Sequence, residues 1–253
     1  MKLDGNLALV TGAATRIGRS IALALAKEKV TVALHYHRSF NKAQSTLAEL
    51  QQFSPNSFLV NADLSNIEES KSLVEQIRPL GRLSILVNNA SLYPSIDGFK
   101  DFDLSQWNHL WNINVLAPLI LSRAFFSNNE SGVIINLIDA GLRKVDPKHF
   151  VYRLTKLSLK EMTQMLALEL APNVRVNAVG PGAILPPARM DATGKTVPPQ
   201  GNEAWQRFDA YIDKRVPLKR PGSPEIIAEN VLHLIKQDFL TGVILPVDGG
   251  EYI

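Results

Sequence analysis

Leu7-Ala-Leu-Val-Thr-Gly-Ala-Ala-Thr-Arg-Ile-Gly18 decides how this chain folds. A short aliphatic run enters a turn punctuated by Gly12 and Gly18, and from Arg16 onward apolar residues recur at helical spacing. Without a Cβ in the way, the amides of such a strand–turn–helix can close on phosphate oxygens at the positive end of the helix. Read alone, the two glycines say only that the chain turns. Their context says more: Asp63-Leu64, Asn88-Asn-Ala-Ser91 and Pro181-Gly182 each follow an apolar run, where a cofactor lying across a sheet edge is touched.

Further along, short aliphatic runs alternate with longer helix-period segments. Strands are expected near Leu7–Val10, Val30–Tyr36, Ser57–Asn61, Ile85–Asn88, Val133–Ile138, Arg175–Val179 and Val243–Val247. Helices are expected over Arg16–Lys29, Asn41–Phe53, Ile67–Ile77, Leu104–Phe126, Val151–Leu170 and Pro224–Ile235, with Asp103, Ser65 and Ser223 where caps belong. This is the pattern of an α/β fold: a Rossmann-type, doubly wound parallel sheet of about seven strands with helices on both faces. At 253 residues one domain, 1–253, buries a sufficient core. The stretch from Gly180 to Gly201 breaks the alternation with five of the fifteen prolines, and a substrate loop is expected over about 183–215.

Composition narrows the function. The formal charge of +3 is scattered, with no lysine block, so no nucleic-acid partner is expected. Zero cysteines exclude disulfides, thiol nucleophiles and cysteine-bound metals. No apolar run approaches the roughly 18 residues that span a bilayer, and the first residues carry no secretory pattern, so no membrane association and a cytoplasmic location are expected.

Tyr152-Arg-Leu-Thr-Lys156 supplies the chemistry. Residues four apart share one helix face, so the lysine ammonium is expected beneath the phenol, favouring its ionised form. A tyrosine tuned in this way exchanges protons, and beside a dinucleotide it couples protonation to hydride transfer. At the end of the second strand, where an NAD site carries an acid for the ribose 2′-hydroxyl, the chain reads Leu34-His-Tyr-His-Arg-Ser39. Arg38 can pair with a 2′-phosphate, and His37 and Ser39 can add donors, so NADPH/NADP+ is the expected cofactor. His35 and His37 share a strand face, but no third ligand is near in sequence and no metal is expected.

The order of these motifs, including the terminal Thr241-Gly-Val-Ile-Leu-Pro-Val-Asp-Gly-Gly250, resembles the short-chain dehydrogenase/reductase family over essentially the whole chain. Its Asn-Ser-Tyr-Lys set falls on Asn114, Asp139, Tyr152 and Lys156, so the serine has become aspartate; Arg16 stands where the turn usually has a third glycine. Both departures resemble the pteridine reductase branch. That resemblance implies NADPH-dependent reduction of dihydropterins, such as dihydrobiopterin or dihydrofolate, and of oxidised pterins; a 3-oxoacyl-carrier-protein or other carbonyl reductase is the alternative.

The resemblance also implies roles. Gly12, Arg16, Ile17, Gly18, His35, His37, Arg38, Ser39, Asp63, Leu64, Asn89, Ala90, Ser91, Lys156, Pro181, Gly182 and Ile184 would hold the cofactor. Lys156 would bind the nicotinamide ribose. Arg16, Ser91, Tyr93, Asp139 and Tyr152 would face a pterin or folate, with Tyr93, Leu92 or Trp205 against its ring. Asn114 would hold a water or a main-chain turn linking Lys156 to solvent. Relatives suggest a homotetramer, through the long apolar-striped helices. Independently of the family, an ionised aspartate opposes the oxyanion that forms when a ketone accepts hydride, yet suits protonation of a C=N nitrogen.

Overall fold

A computed structural model describes residues 2–94, 98–100, 103–127, 131–186, 189–190, 196–197 and 201–253. Seven strands form one parallel sheet: β1 (Leu7–Val10), β2 (Thr31–Tyr36), β3 (Phe58–Asn61), β4 (Leu83–Asn88), β5 (Gly132–Leu137), β6 (Val174–Pro181) and β9 (Ile244–Val247). Their order is β3-β2-β1-β4-β5-β6-β9, and every neighbouring pair runs parallel. The order reverses between β1 and β4, which is where such sheets bind nucleotides.

Strands buried on both faces read as continuous apolar runs, and β1 shows why. Ala8 and Val10 pack with Ile21 and Leu25 of α1 (Arg16–Lys27) and with Ile227, Val231 and Leu234 of α8 (Pro224–Lys236). On the opposite face Leu7 and Leu9 pack with Leu73, Val74 and Ile77 of α3 (Ile67–Ile77) and Leu121 and Phe125 of α5 (Ala117–Ser127). The layer holding α1 and α8 also carries α2 (Phe40–Gln51); the other is completed by α4 (Leu104–Trp111) and α6 (Phe150–Glu169).

Several expectations change. The single helix expected over 104–126 is broken by a π-helical turn, Asn112–Leu116, that buries Asn114 and Val115. Such wide turns are frequent at functional sites. The cap of α3 is Asn66, whose side chain accepts from the amides of Glu68 and Glu69; Ser65 instead donates its amide and hydroxyl to Asp63. The span expected as a substrate loop contains a short antiparallel pair, β7 (Arg189–Met190) and β8 (Thr196–Val197), followed by α7 (Gly201–Arg215). Phe208 and Ile212 of α7 and Val216 beyond it, four apart, form a small cluster that pins this helix. Residues 187–188, 191–195 and 198–200 of that span lie outside the described ones.

The run Leu104–Ser127 is long and apolar enough to cross a membrane by length and composition. Here Ala117, Leu121 and Phe125 pack onto the sheet instead. Gln106, Asn108, His109, Asn112, Asn114 and Arg123 interrupt its apolar residues, which is why the sequence shows no long apolar stretch.

Candidate active site

The ends of β1, β2, β4, β5 and β6 open into one cleft of about 1310 Å³. Every residue expected at the site lines it except Asn114 and Trp205. On the β1–β4 side the cleft is a backbone construction. The Thr11 hydroxyl accepts from the amides of Asn89 and Ala90, both at 2.9 Å, and the Asn89 amide group donates to the carbonyls of Thr11 (2.8 Å) and Gly12 (3.2 Å). Gly12 has φ +64°, and a Cβ on Gly18 would lie 2.4 Å from the Gly12 carbonyl and 2.5 Å from Asn89 Nδ2. Only glycine fits at position 18. A Cβ on Gly182, in the Pro181–Ile184 wall of the same cleft, would sit 2.6 Å from Asp248. These close approaches keep side chains out of the cradle, the form that suits a pyrophosphate and a nicotinamide amide.

His35 holds the cradle from below. Its Nδ1 accepts from the Gly12 amide at 3.0 Å, so the proton is on Nε2, which donates to the Ala62 carbonyl at 3.1 Å. Burial lowers its pKa to about 4, and the ring stays neutral. Both nitrogens are engaged by backbone, so His35 shapes the turn and has no nitrogen left for a phosphate. Arg16 adopts φ +56° at the position that glycine usually fills, and its Nη2 donates to the Pro186 carbonyl at 2.8 Å, tying the turn to the segment after β6.

At the tip of β2, His37, Arg38 and Ser39 line the cleft where α2 begins, and Lys42 adds a second full cation one turn into that helix. His37 Nε2 lies 3.5 Å from Asp63, whose other oxygen is held by Ser65. Exposed cations at a helix N-terminus suit an anionic group. Lys42 escaped the sequence reading because a lone lysine within a polar helix gives no signal.

The reacting end is built from side chains. Asp139 stands two residues beyond β5; one carboxylate oxygen accepts from the Gly141 amide at 2.7 Å and the other from the Tyr152 hydroxyl at 3.1 Å. Lys156, one turn further along α6, is buried; its ammonium donates to the Leu137 carbonyl at 2.8 Å and stands 5.9 Å from the Tyr152 ring centre. Burial lowers the Lys156 pKa to about 8, partly offset by Asp139. The phenol departs from the sequence expectation. Burial first, then the charge and hydrogen bond of Asp139, push its pKa well above 10. Tyr152 is therefore a protonated donor aimed at a carboxylate, and the aspartate outweighs the more distant ammonium.

Asn114 holds a main-chain turn, one of the two roles expected of it. Its Oδ1 accepts from the Leu92 amide (3.0 Å) and the Ser91 hydroxyl (3.1 Å), and its Nδ2 donates to the Leu92 carbonyl (3.2 Å) and Thr155 Oγ1 (3.1 Å). It clamps the turn after β4 to the helix carrying Tyr152 and Lys156, and the π-turn brings it there. Tyr93 stands edge-on to Tyr152, ring centres 4.9 Å apart, with His149 against it at 4.6 Å. Trp205 packs edge-on to Phe208 and lies outside the cleft lining. Tyr211, Glu251 and Tyr252 do line the cleft, and the sequence reading missed them.

Comparison with known proteins follows this geometry. Residues 12–251 match the family described as enoyl-(acyl carrier protein) reductase. The chain is 29% identical to FolM alternative dihydrofolate reductase 1 from Brucella canis, whose crystal structure is complexed with NADP; the likeness covers 100% of this chain and 96% of that one, with a TM-score of 0.86. It is 30% identical to glucose 1-dehydrogenase 2 of Bacillus subtilis over 98% of this chain and 95% of that protein. It is 29% identical to a putative ketoacyl reductase of the granaticin polyketide synthase of Streptomyces violaceoruber, over 99% and 97%.

Proposed function

Because the chain belongs to the short-chain dehydrogenase/reductase family, we propose that it is an NADPH-dependent pteridine reductase that converts dihydropterins such as dihydrobiopterin or dihydrofolate to tetrahydropterins. One observation carries this reading: a carboxylate, Asp139, accepts the hydrogen bond of the proton-donating Tyr152 at 3.1 Å. The FolM structure with NADP supports both halves of it.

The cofactor is NADPH. Its 2′-phosphate would be held by His37, Arg38, Ser39 and Lys42, its pyrophosphate by the first amides of α1, from Arg16 to Gly18, beside Gly12, and its nicotinamide by Lys156, Pro181, Gly182 and Ile184. Asp63, Leu64, Asn89, Ala90 and Ser91 would line the cleft between. When bound, it supplies hydride to the carbon of the C=N bond, and the nitrogen takes a proton. Tyr152 delivers that proton. Asp139 keeps the phenol protonated until nitrogen becomes the stronger base, and Lys156 supplies the positive charge that steadies the phenolate afterwards. A ketone would develop negative charge on oxygen beside Asp139, at an electrostatic penalty.

The match to a ketoacyl reductase favours a second reading, a carbonyl reductase of the same family. NADPH oxidation measured in parallel on dihydrobiopterin, dihydrofolate, dihydromonapterin and acetoacetyl thioester separates the two. The pterins should turn over, and Asp139→Ser should impair them while relieving the thioester. A thioester reduced faster than every pterin, with pterin turnover intact in Asp139→Ser, overturns the proposal. We place the enzyme in the cytoplasm as a homotetramer; exposed Leu104, Leu119, Phe126, Met165 and Leu168, on the helices of one layer, support the assembly.

A further inference from the structure

The last residues of the chain bring a further carboxylate to the cleft, beside the Asp139 end, and the chemistry above makes no use of it. After β9 the chain turns through Gly249 and Gly250, at φ +63° and +85°, and returns Glu251 and Tyr252 to the cleft wall. The Glu251 carboxylate accepts from the Ala183 amide at 3.1 Å and from the Tyr211 hydroxyl of α7. Tyr252 stands in the same cluster, close enough to Tyr211 and Glu251 for both to raise its pKa. One carboxylate thus ties together three segments: the Pro181–Ile184 wall, α7 and the tail.

The cluster stands beside the reacting pair. A Cβ on Gly141 would lie 3.0 Å from the Tyr252 hydroxyl and 2.8 Å from Asp139 Oδ1, so both oxygens press on the same glycine. Tyr252 is also near enough to Tyr152 to raise the pKa of that phenol. Burial, with the contacts inside the cluster, raises the pKa of Tyr211 and of Tyr252, so both phenols remain donors at neutral pH. Their hydrogens satisfy part of the carboxylate, and an ionised carboxylate has about four acceptor positions. Glu251 is half-buried in the wall, with acceptor capacity left for a ligand.

Two carboxylates from separate segments on one substrate wall are out of place for a ketone, which brings only acceptors. They suit a flat heterocycle with N–H donors on more than one edge. The amino-amide edge of a pterin presents two parallel N–H groups, the spacing that the two oxygens of a carboxylate accept together. The geometry points to Glu251 as a specificity-determining residue that accepts the 2-amino and ring N–H donors of the substrate, with Tyr211 and Tyr252 as positioning residues. The inference rests on the pteridine reductase reading and names how that site tells its substrate apart.

The test compares 7,8-dihydropterin with its 2-oxo counterpart, dihydrolumazine, at saturating NADPH, in the unmodified enzyme and in Glu251→Gln and Tyr211→Phe. The 2-oxo compound turns a carbonyl toward Glu251 where the pterin turns an amino group. The unmodified enzyme should show a KM for the 2-amino substrate lower by about tenfold or more, the scale of a charge-assisted hydrogen bond. Glu251→Gln should erase that preference by raising the KM for dihydropterin, with kcat and NADPH affinity little changed. Tyr211→Phe, which keeps the charge and loosens its position, should fall between.

Parallel rises in KM for both substrates, or a loss of NADPH binding with the preference kept, would make Glu251 a support for the Ala183 segment and overturn the inference. Equal KM values in the unmodified enzyme overturn it too, while leaving pteridine reduction standing. Failure to reduce either compound overturns the pteridine reading itself, and this inference with it.

Discussion

On its β1–β4 side the cleft is lined by backbone, locked by side chains whose hydrogen bonds are complete; from Asp139 to the C-terminus it is lined by ionisable side chains held close enough to shift one another. Thr11, His35 and Asn89 exemplify the first kind, each satisfied by main-chain groups and removed from chemistry. Asp139, Tyr152, Lys156, Tyr211 and Tyr252 exemplify the second: burial and neighbours move both the lysine and all three phenols from their ordinary pKa values. The difference separates two tasks. A cofactor common to many reactions is gripped by geometry, and the reaction itself is chosen by a few charges that tune a proton.

If this division is right, damage on the two sides should differ in kind. Tyr152→Phe keeps the ring against Tyr93 and deletes only the proton. Turnover should fall by about 10²–10⁴, the contribution of a positioned general acid, while NADPH affinity, measured by fluorescence titration, stays within about twofold. A loss below about tenfold with chemistry limiting would remove Tyr152 from the mechanism. Arg38→Asp makes the reciprocal cut. NADPH should bind about tenfold to a hundredfold more weakly as a charge-assisted contact is replaced by repulsion, and the preference over NADH should erode while kcat at saturation survives. Equal use of NADPH and NADH by the unmodified enzyme would break the comparison at its cofactor end.

The same division explains what the sequence reveals. The cradle is legible because its requirements are local: Gly12 and Gly18 stand where a side chain collides, next to a strand whose aliphatic run is unmistakable. Tyr152 and Lys156 are legible because four residues of helix carry both. The parallel sheet follows from alternation, and strand ends shift by only a few residues. What stays hidden depends on distant segments. The π-turn at Asn112–Leu116 interrupts an apolar period that looks continuous, and its reason, the four bonds of Asn114 to the β4 turn and α6, is invisible locally. α7 lies behind prolines that read as loop, although Phe208, Ile212 and Val216 keep a helical interval. Glu251 and Tyr252 follow a generic glycine pair, and nothing nearby says that they return to the cleft. Adjacent polar residues mislead as well: Ser65 looks like a cap, but Asp63 takes its donors and leaves Asn66 to start α3.

The smallest effect is the most discriminating, because it reads the cost of tuning in the protein free of cofactor. Lys156 is buried and charged below about pH 8, whereas in the unfolded chain it keeps its proton to about 10.4. Below pH 8 both states carry the charge, so the native state bears the full burial cost. Between about 8 and 10.4 the unfolded state binds more protons, and linkage makes the unmodified protein more stable as pH rises. Lys156→Met keeps the length of the side chain and removes the charge. It should therefore raise stability at pH 7 by about 1–2 kcal/mol, a gap of roughly two pKa units less the lost bond to the Leu137 carbonyl. For a chain of this size that is about 2–6 °C in Tm, read by calorimetry without cofactor, and the gain should shrink as pH climbs above 8. A lower Tm for Lys156→Met at pH 7, or a gain that grows with pH, would mean that the fold holds this ammonium at no cost. The reacting side of the cleft would then be as relaxed as the cradle opposite.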